Sequence, residues 1–119
     1  MLHAWLAEHE LGDEALKALA DVFHKNSDTG LLYGRWGGEE FLLIAPENVT
    51  YAEFVDLLEN IRKQIEGLSL KSGGMIVKFT ISIGAATYKK GMTSEKLVNS
   101  ADDRLYAAKE SGRNKVVYE

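Results

Sequence analysis

A pair of glycines between two apolar segments is the feature that most restricts the fold of this chain. Gly37 and Gly38 separate Leu31–Trp36 from Glu40–Ala45, and glycine adopts positive φ angles without a steric penalty. The second segment contains an unbroken apolar run, 41–44, which is too short for a helix and is typical of a strand covered on both faces. The sequence therefore predicts a tight β-hairpin with one buried strand.

Periodic segments on either side of the hairpin predict further helices and strands. Apolar residues recur at helical spacing in three segments, which begin at Glu14, at Thr50 and at Thr93 or Ser94. Thr50-x-x-Glu53 has the pattern of a capping box. The alternation at 77–83 and the segment 115–118 predict two more strands.

The predicted order of elements indicates an α+β fold in which helices pack on a mainly antiparallel sheet. It matches the ferredoxin-like β-α-β-β-α-β pattern with the first strand absent. The segment Leu2–Leu11 is apolar enough to be helical, with a break at Gly12. A missing interior strand would leave backbone groups without partners. Either another chain fills the gap, or the neighbouring strands close it, or the N-terminal segment has a role that its pattern does not indicate. Of these we expect self-association as a homodimer.

Composition limits the possible functions of the chain. With 119 residues it has the length of a single domain, 1–119, and a net charge of −4 argues against a nucleic-acid-coating role. The absence of cysteine excludes disulfides, thiolate zinc sites and cysteine nucleophiles. No apolar run is long enough for a membrane span, and no signal peptide is recognisable, so we expect a cytoplasmic protein without membrane contact.

The residues around the hairpin could also carry chemistry. A glycine turn lets an anionic group approach the backbone, and the carboxylates of Glu39 and Glu40 suit a hard cation such as Mg²⁺. The two glutamates are adjacent on a strand, so their side chains would face opposite sides and would not act as one pair. From the spacing alone, a hairpin with two solvated glutamates remains the alternative.

Four motifs in order along the chain resemble the GGDEF family of bacterial diguanylate cyclases. The hairpin has that family's motif in its Gly-Gly-Glu-Glu-Phe form at 37–41, His9-x-x-Gly12-Asp13 precedes it, and Thr80–Gly84 is similar to the family's core strand. The segment Ala101–Asn114 resembles the closing helix, Ala-Asp-x-Ala-Leu-Tyr-x-Ala-Lys-x-x-Gly-Arg-Asn. The resemblance implies the palm-like domain of nucleotidyl cyclases and the condensation of two GTP molecules into cyclic di-GMP across a dimer interface.

The resemblance also implies a role for each matching residue. Glu39 would bind the metal, Mg²⁺ or Mn²⁺, and help to deprotonate the attacking 3′-hydroxyl, and Glu40 would lie beside the metals. The remaining positions would bind GTP: Gly37 and Gly38 through the turn, Asp13 and His9 at the guanine, and Lys109 and Arg113 at the terminal phosphates. Lys109 and Arg113 are four residues apart near a predicted helix end, so both can face one ligand.

Two of these roles have structural alternatives. Asp13 is also placed to cap a helix N-terminus. Lys109 and Arg113 near a helix C-terminus are favoured by the helix dipole without any ligand.

The chain departs from the family pattern at its beginning and before the hairpin. Members begin with a strand that ends in a metal-binding aspartate, followed by an asparagine that binds guanine, whose position falls on Ala4. We therefore expect weak metal binding. Many members carry an inhibitory product site, Arg-x-x-Asp, whose positions here are Asp28 and Leu31, so product inhibition through that site should be absent.

Three functional hypotheses follow. In the first, the chain is a diguanylate cyclase domain, inactive or weakly active alone, within a longer protein that carries a sensor or phosphodiesterase domain. In the second, it is a degenerate GGDEF module that binds GTP or a partner protein for regulation, without turnover. In the third, it is a folded relic that binds no ligand and covers its apolar surfaces by dimerisation.

Overall fold

The computed structural model describes residues 2–7, 13–37, 40–45 and 48–118. The strands are β1 (Leu2–Ala7), β2 (Leu32–Gly37), β3 (Glu40–Ile44), β4 (Leu70–Ser72), β5 (Met75–Val77), β6 (Ser82–Thr87) and β7 (Val116–Val117). The helices are α1 (Asp13–Lys25), α2 (Tyr51–Glu66) and α3 (Ser94–Glu110), with a short 3-10 helix at Ser27–Thr29.

Within the described residues, five strands form the main sheet in the order β2-β3-β1-β6-β7. Neighbouring strands are antiparallel except β6 and β7, which are parallel. The order β1, α1, β2, β3, α2, β6 is the ferredoxin-like pattern, to which α3 and β7 are added. The predicted α+β class with a mainly antiparallel sheet is confirmed.

The prediction that the first strand is missing is wrong, as is the expectation of a helix at its position. Leu2–Ala7 lies in the interior of the sheet, where Ala4 pairs with Leu43 on one side and with Ala85 on the other. An interior position between two strands supplies hydrogen-bond partners for backbone groups along the segment, and this outweighs the helix propensity of leucine and alanine. Because the position is filled, a gap in the sheet is no longer a reason to expect self-association.

Helices cover both faces of the main sheet. On one face α1 and α2 pack against buried side chains of β3 and β6, among them Phe41, Leu43 and Ile83. On the other face α3 lies directly on β6, where a Cβ atom at Gly84 would overlap the carbonyl oxygen of Ala101 and the amide nitrogen of Leu105. The glycine in the predicted core strand is therefore required by the close approach of α3.

The helix boundaries agree with the capping motifs in the sequence. Thr50 accepts a hydrogen bond from the Glu53 amide at 3.1 Å, and the Glu53 carboxylate accepts one from the Thr50 amide at 3.2 Å. Thr93 caps α3 in the same way, by accepting from the Lys96 amide at 3.1 Å. The capping box and the start of α3 are thus confirmed.

The strand predicted at 77–83 is wrong in its extent. Its first residue belongs to a separate hairpin of β4 and β5, and the main-sheet strand begins at Ser82. Gly73 and Gly74 turn this hairpin with φ angles of 56° and 81°, the positive values that a two-residue turn of the mirror-image type requires. The polar–apolar alternation of the sequence continues through the connection between β5 and β6, so the pattern does not indicate where one strand ends and the other begins.

Candidate functional site

One edge of the main sheet collects the ends of several elements. Gly37 pairs with Glu40 at the end of the β2–β3 hairpin, Glu40 pairs with Ala7, and Ala7 pairs with Ser82. Neighbouring strands are about 4.8 Å apart, so this row extends roughly 10 Å from Glu40 to Ser82. We call it the site edge.

The chain segment between α3 and β7 meets the same edge. The buried hydroxyl of Ser82 accepts a hydrogen bond from the Asn114 amide at 3.2 Å, and the Ile83 amide donates to the Lys115 carbonyl at 2.9 Å. Arg113 directly precedes Asn114 in the chain, and Lys109 lies in the last turn of α3. The topology therefore brings the hairpin end and the two predicted phosphate-binding cations to one edge of the sheet.

The end of α3 has the geometry of a Schellman motif. Gly112 has a φ of 117°, and the Arg113 amide donates to the Ala108 carbonyl at 2.9 Å, which satisfies a carbonyl that the last helical turn leaves without a partner. Gly112 therefore ends the helix as the sequence predicts. The chain reverses there and continues along the sheet edge through Arg113.

Residues of α2 hold this reversal from the side. Arg62 donates through Nε and Nη2 to the two carboxylate oxygens of Glu59, each at 3.1 Å, and through Nη1 to Asn114 Oδ1 at 2.8 Å. The Glu66 carboxylate accepts from Asn114 Nδ2 and lies 3.7 Å from Arg62 Nη1. The hydrogen bond to Glu59 and the two negative charges raise the pKa of Arg62 further above its ordinary value, against the opposing effect of burial.

Sequence reasoning missed this contribution of α2. Asn114 belongs to the motif of the closing helix, but Arg62 carries no local signal of its role, because its partner lies 52 positions away in the chain. An arginine with glutamates at i−3 and i+4 predicts only a charged helix surface.

Of the remaining predicted site residues, the structure describes two and leaves three outside the described residues. Asp13 is exposed and is the first residue of α1, at the helix end that follows β1. Glu40 is half-buried at the start of β3. His9, Gly38 and Glu39 lie outside the described residues, so their roles stay predictions.

The metal prediction can be compared with the donors at the site edge. Glu40 supplies a carboxylate, the ligand type that Mg²⁺ prefers, and the position paired with it, Ala7, is a residue without a side-chain oxygen. Among the described residues, no three histidine or acidic side chains form a group that could hold a metal ion. The described donors suit a magnesium ion in chemistry but not in number.

The two positions that correspond to the family's inhibitory product site lie in different environments. Asp28 is exposed in the short 3-10 helix, whereas Leu31 is 2% exposed and packs in the core with α1 and α2. A carboxylate at position 31 would be buried among apolar side chains.

Two surface clefts in the described structure lie away from these residues. One is formed by β2 and β3, between residues such as Leu32, Gly34 and Leu42. The other lies beside the start of α2, between Tyr51, Val55 and Tyr118. Neither contains a predicted site residue, so these two clefts add nothing to the candidate site.

Comparison with known proteins gives a consistent result. The family described as "Diguanylate cyclase, GGDEF domain" matches residues 8–115. Diguanylate cyclase DgcM of Escherichia coli (strain K12) is 38% identical over 109 residues, covering 92% of this chain and 26% of DgcM. The chain therefore spans about a quarter of the length of this curated relative.

Solved structures agree with the sequence comparison. The diguanylate cyclase SiaD of Pseudomonas aeruginosa, in complex with its activator SiaC, superposes with a TM-score of 0.88 at 32% identity, over 99% of this chain and 49% of SiaD. The GGDEF domain of DgcB from Caulobacter crescentus, in complex with c-di-GMP, gives a TM-score of 0.88 at 28% identity, over 98% of this chain and 76% of that one.

No helix in the described parts of the chain is both long and apolar enough to cross a membrane.

The family match covers most of the chain, DgcM is 38% identical over 92% of it, and the fold superposes on solved diguanylate cyclase and GGDEF-domain structures. The chain belongs to the GGDEF family of diguanylate cyclase domains.

Proposed function

We propose that residues 1–119 form one GGDEF-type domain, which binds GTP at the site edge and supplies one half of a diguanylate cyclase. The reaction of the family condenses two GTP molecules into cyclic di-GMP, with one GTP presented by each of two domains. The observation that supports this proposal is the convergence of the hairpin end, at Glu40, with the end of α3, at Arg113. GTP and magnesium are abundant in the cytoplasm, which is where we place the domain.

The proposed roles follow the motif positions. Gly37 and Gly38 let the nucleotide approach the hairpin, Asp13 accepts hydrogen bonds from guanine, and His9 shapes that pocket. Lys109 and Arg113 bind the terminal phosphates. Two cations suit this task because phosphoryl transfer depends on positioning and on neutralising charge on the phosphate oxygens.

The acidic residues carry the remaining chemistry. Glu39 would hold the metal and help to remove the proton of the attacking 3′-hydroxyl, and Glu40 would lie beside the metal. A bound Mg²⁺ or Mn²⁺ would supply positive charge that neutralises the phosphate oxygens. Since Leu2–Ala7 contains no acidic residue, we expect weak metal binding and little or no turnover by this chain alone.

The absence of an acidic residue from Leu2–Ala7 also favours a second candidate, a GGDEF module that binds GTP or a partner protein without turnover. The strand position next to Glu40 is filled, but by a segment without the family's carboxylate. Such a domain keeps its fold and its phosphate-binding cations while losing metal affinity. A longer protein could then use it to regulate a sensor or phosphodiesterase domain.

GTP titration with and without Arg113 tests the proposal. Arg113→Ala removes a charge-assisted contact worth about 1.5–3 kcal/mol, so the Kd for GTP measured by calorimetry should rise about 10- to 100-fold. The matched control is Lys89→Ala, which removes one positive charge at an exposed position beyond the opposite end of β6. No saturable heat with the unmodified chain, or equal effects of both variants, would refute GTP binding at the site edge.

Incubation with GTP and Mg²⁺ or Mn²⁺ separates the two candidates. Cyclic di-GMP formation that requires Glu39 would support the cyclase, and binding without product would support the regulatory module. Product formation at the rate of a fully active cyclase would contradict the expected weakness of the metal site.

A further inference from the structure

The segment that follows α3 has an unusual backbone. Arg113 and Asn114 have φ angles of 62° and 49°, in the left-handed region that residues other than glycine rarely adopt. Asparagine tolerates this conformation better than most residues, but arginine has no such advantage. Two consecutive left-handed residues therefore need contacts from outside the segment to keep this conformation.

Asn114 receives those contacts from three directions. Its backbone amide donates to the buried Ser82 hydroxyl at 3.2 Å. Its side-chain Oδ1 accepts from Arg62 at 2.8 Å, and its side-chain Nδ2 donates to the Glu66 carboxylate. The first contact fixes the segment to β6, and the other two fix it to the last turns of α2. These contacts also constrain Arg113, one residue earlier, together with the hydrogen bond from the Arg113 amide to the Ala108 carbonyl.

Arg62 is itself held in one orientation. Its guanidinium forms two parallel hydrogen bonds with Glu59 and is 12% exposed. The planar guanidinium can bind a carboxylate with one edge and still donate from Nη1 to Asn114, which the single ammonium group of lysine cannot do in the same geometry. The charge of Arg62 is already paired with Glu59 and Glu66, so the side chain is suited to position the segment rather than to bind a ligand.

We propose that Arg62 is a positioning residue for the nucleotide phosphates, which acts through Asn114 to hold Arg113 at the site edge. This inference rests on the proposed GTP binding. It adds a residue of α2 that makes no ligand contact itself, and it predicts an effect confined to the part of the nucleotide that Arg113 meets.

The test compares GTP with GMP, which lacks the terminal phosphates. For Arg62→Lys, which keeps the charge but not the planar donor set, the Kd for GTP in the presence of Mg²⁺ should rise about 5- to 10-fold. The Kd for GMP should change less than about 2-fold. A general loss of structure would raise the Kd values for GTP and GMP by similar factors.

Two further variants complete the experiment. Asn114→Gly accepts the left-handed backbone but removes the side-chain contacts, so it should reproduce the selective loss of GTP affinity even if Arg62→Lys folds poorly. Thr50→Ala is the matched control, because it weakens the opposite end of the same helix and should leave the GTP-to-GMP ratio unchanged.

The possible outcomes separate the two proposals. If the unmodified chain binds no GTP, the proposed function fails and the role of Arg62 with it. If GTP binds and Arg113→Ala weakens it, but Arg62→Lys and Asn114→Gly keep the ratio of the two Kd values, then the proposed function stands and the positioning role is refuted.

Discussion

The two ends of helix α3 are stabilised in different ways. At its start, Thr93 accepts a hydrogen bond from the amide of Lys96, three residues away. At its end, the segment that includes Asn114 is held by Ser82 and Arg62, which lie 32 and 52 positions away in the chain. The start is therefore a local structure, whereas the segment that follows the Schellman motif at the end depends on the packing of α2, α3 and the sheet.

This difference corresponds to the difference in proposed function. The start of α3 only begins a helix, and a threonine hydroxyl is sufficient for that. The end must hold two left-handed residues beside the candidate phosphate site, and local interactions do not favour that conformation. A binding segment of this kind retains its geometry only when the whole domain is folded.

The largest expected effect comes from displacing α3 from the sheet. In Gly84→Ala the new methyl group would overlap backbone atoms of Ala101 and Leu105, which cannot move without shifting the helix. We expect a loss of about 3 kcal/mol in the free energy of unfolding, measured by urea denaturation. Because the end of α3 depends on this packing, the affinity for GTP should fall as well.

Gly34→Ala is the matched control for that experiment. Gly34 lies in β2 of the same sheet, but a Cβ atom there would have no neighbour within 4 Å. We expect a change within about 0.5 kcal/mol, since alanine adds no clash. Equal losses for the two variants would contradict the close packing of α3 on β6 and, with it, the dependence of the helix end on the sheet.

A smaller effect is expected from removing the local caps. Thr93→Ala and Thr50→Ala should each cost about 1 kcal/mol of stability, because each removes the hydroxyl that accepts the capping hydrogen bond, from the Lys96 amide and from the Glu53 amide respectively. Serine at either position keeps the hydroxyl and should restore most of the loss. The GTP affinity of the folded variants should equal that of the unmodified chain, and a fall in affinity for Thr93→Ala would show that the two ends of α3 are coupled.

The same contrast explains which parts of the structure the sequence predicts. The hairpin around Gly37 and the caps at Thr50 and Thr93 depend on residues within a few positions of each other, and all three are confirmed. The position of Arg62 beside Asn114 depends on the packing of α2 against the sheet and on the length of the intervening chain. No spacing rule contains that information.

The first strand shows the same limit from the opposite side. Leu2–Ala7 has the composition of a helix, and only the two strands that flank it, β3 and β6, make it extended. By contrast, the hairpin at Gly73 and Gly74 had a local signal equal to that at Gly37 and Gly38, but the alternation that follows it concealed the signal. Of the candidate site, the motif positions were predictable, and the contacts that hold them were not.

The smallest expected effect concerns the charge in the α2 cap. Hydrogen bonds from the Thr50 amide and hydroxyl lower the pKa of Glu53 below its ordinary value of 4.5. A carboxyl with a lowered pKa in the folded state stabilises the protein fully above its unfolded pKa, and this contribution is lost as the pH falls through the lowered, folded value. Glu53→Gln keeps the hydrogen-bond acceptor and removes the charge, so the stability difference between the two proteins in urea should be small near neutral pH. It should then disappear as the pH falls below the folded pKa, and a difference that grows on acidification would contradict a charge-dependent cap at the locally determined start of α2.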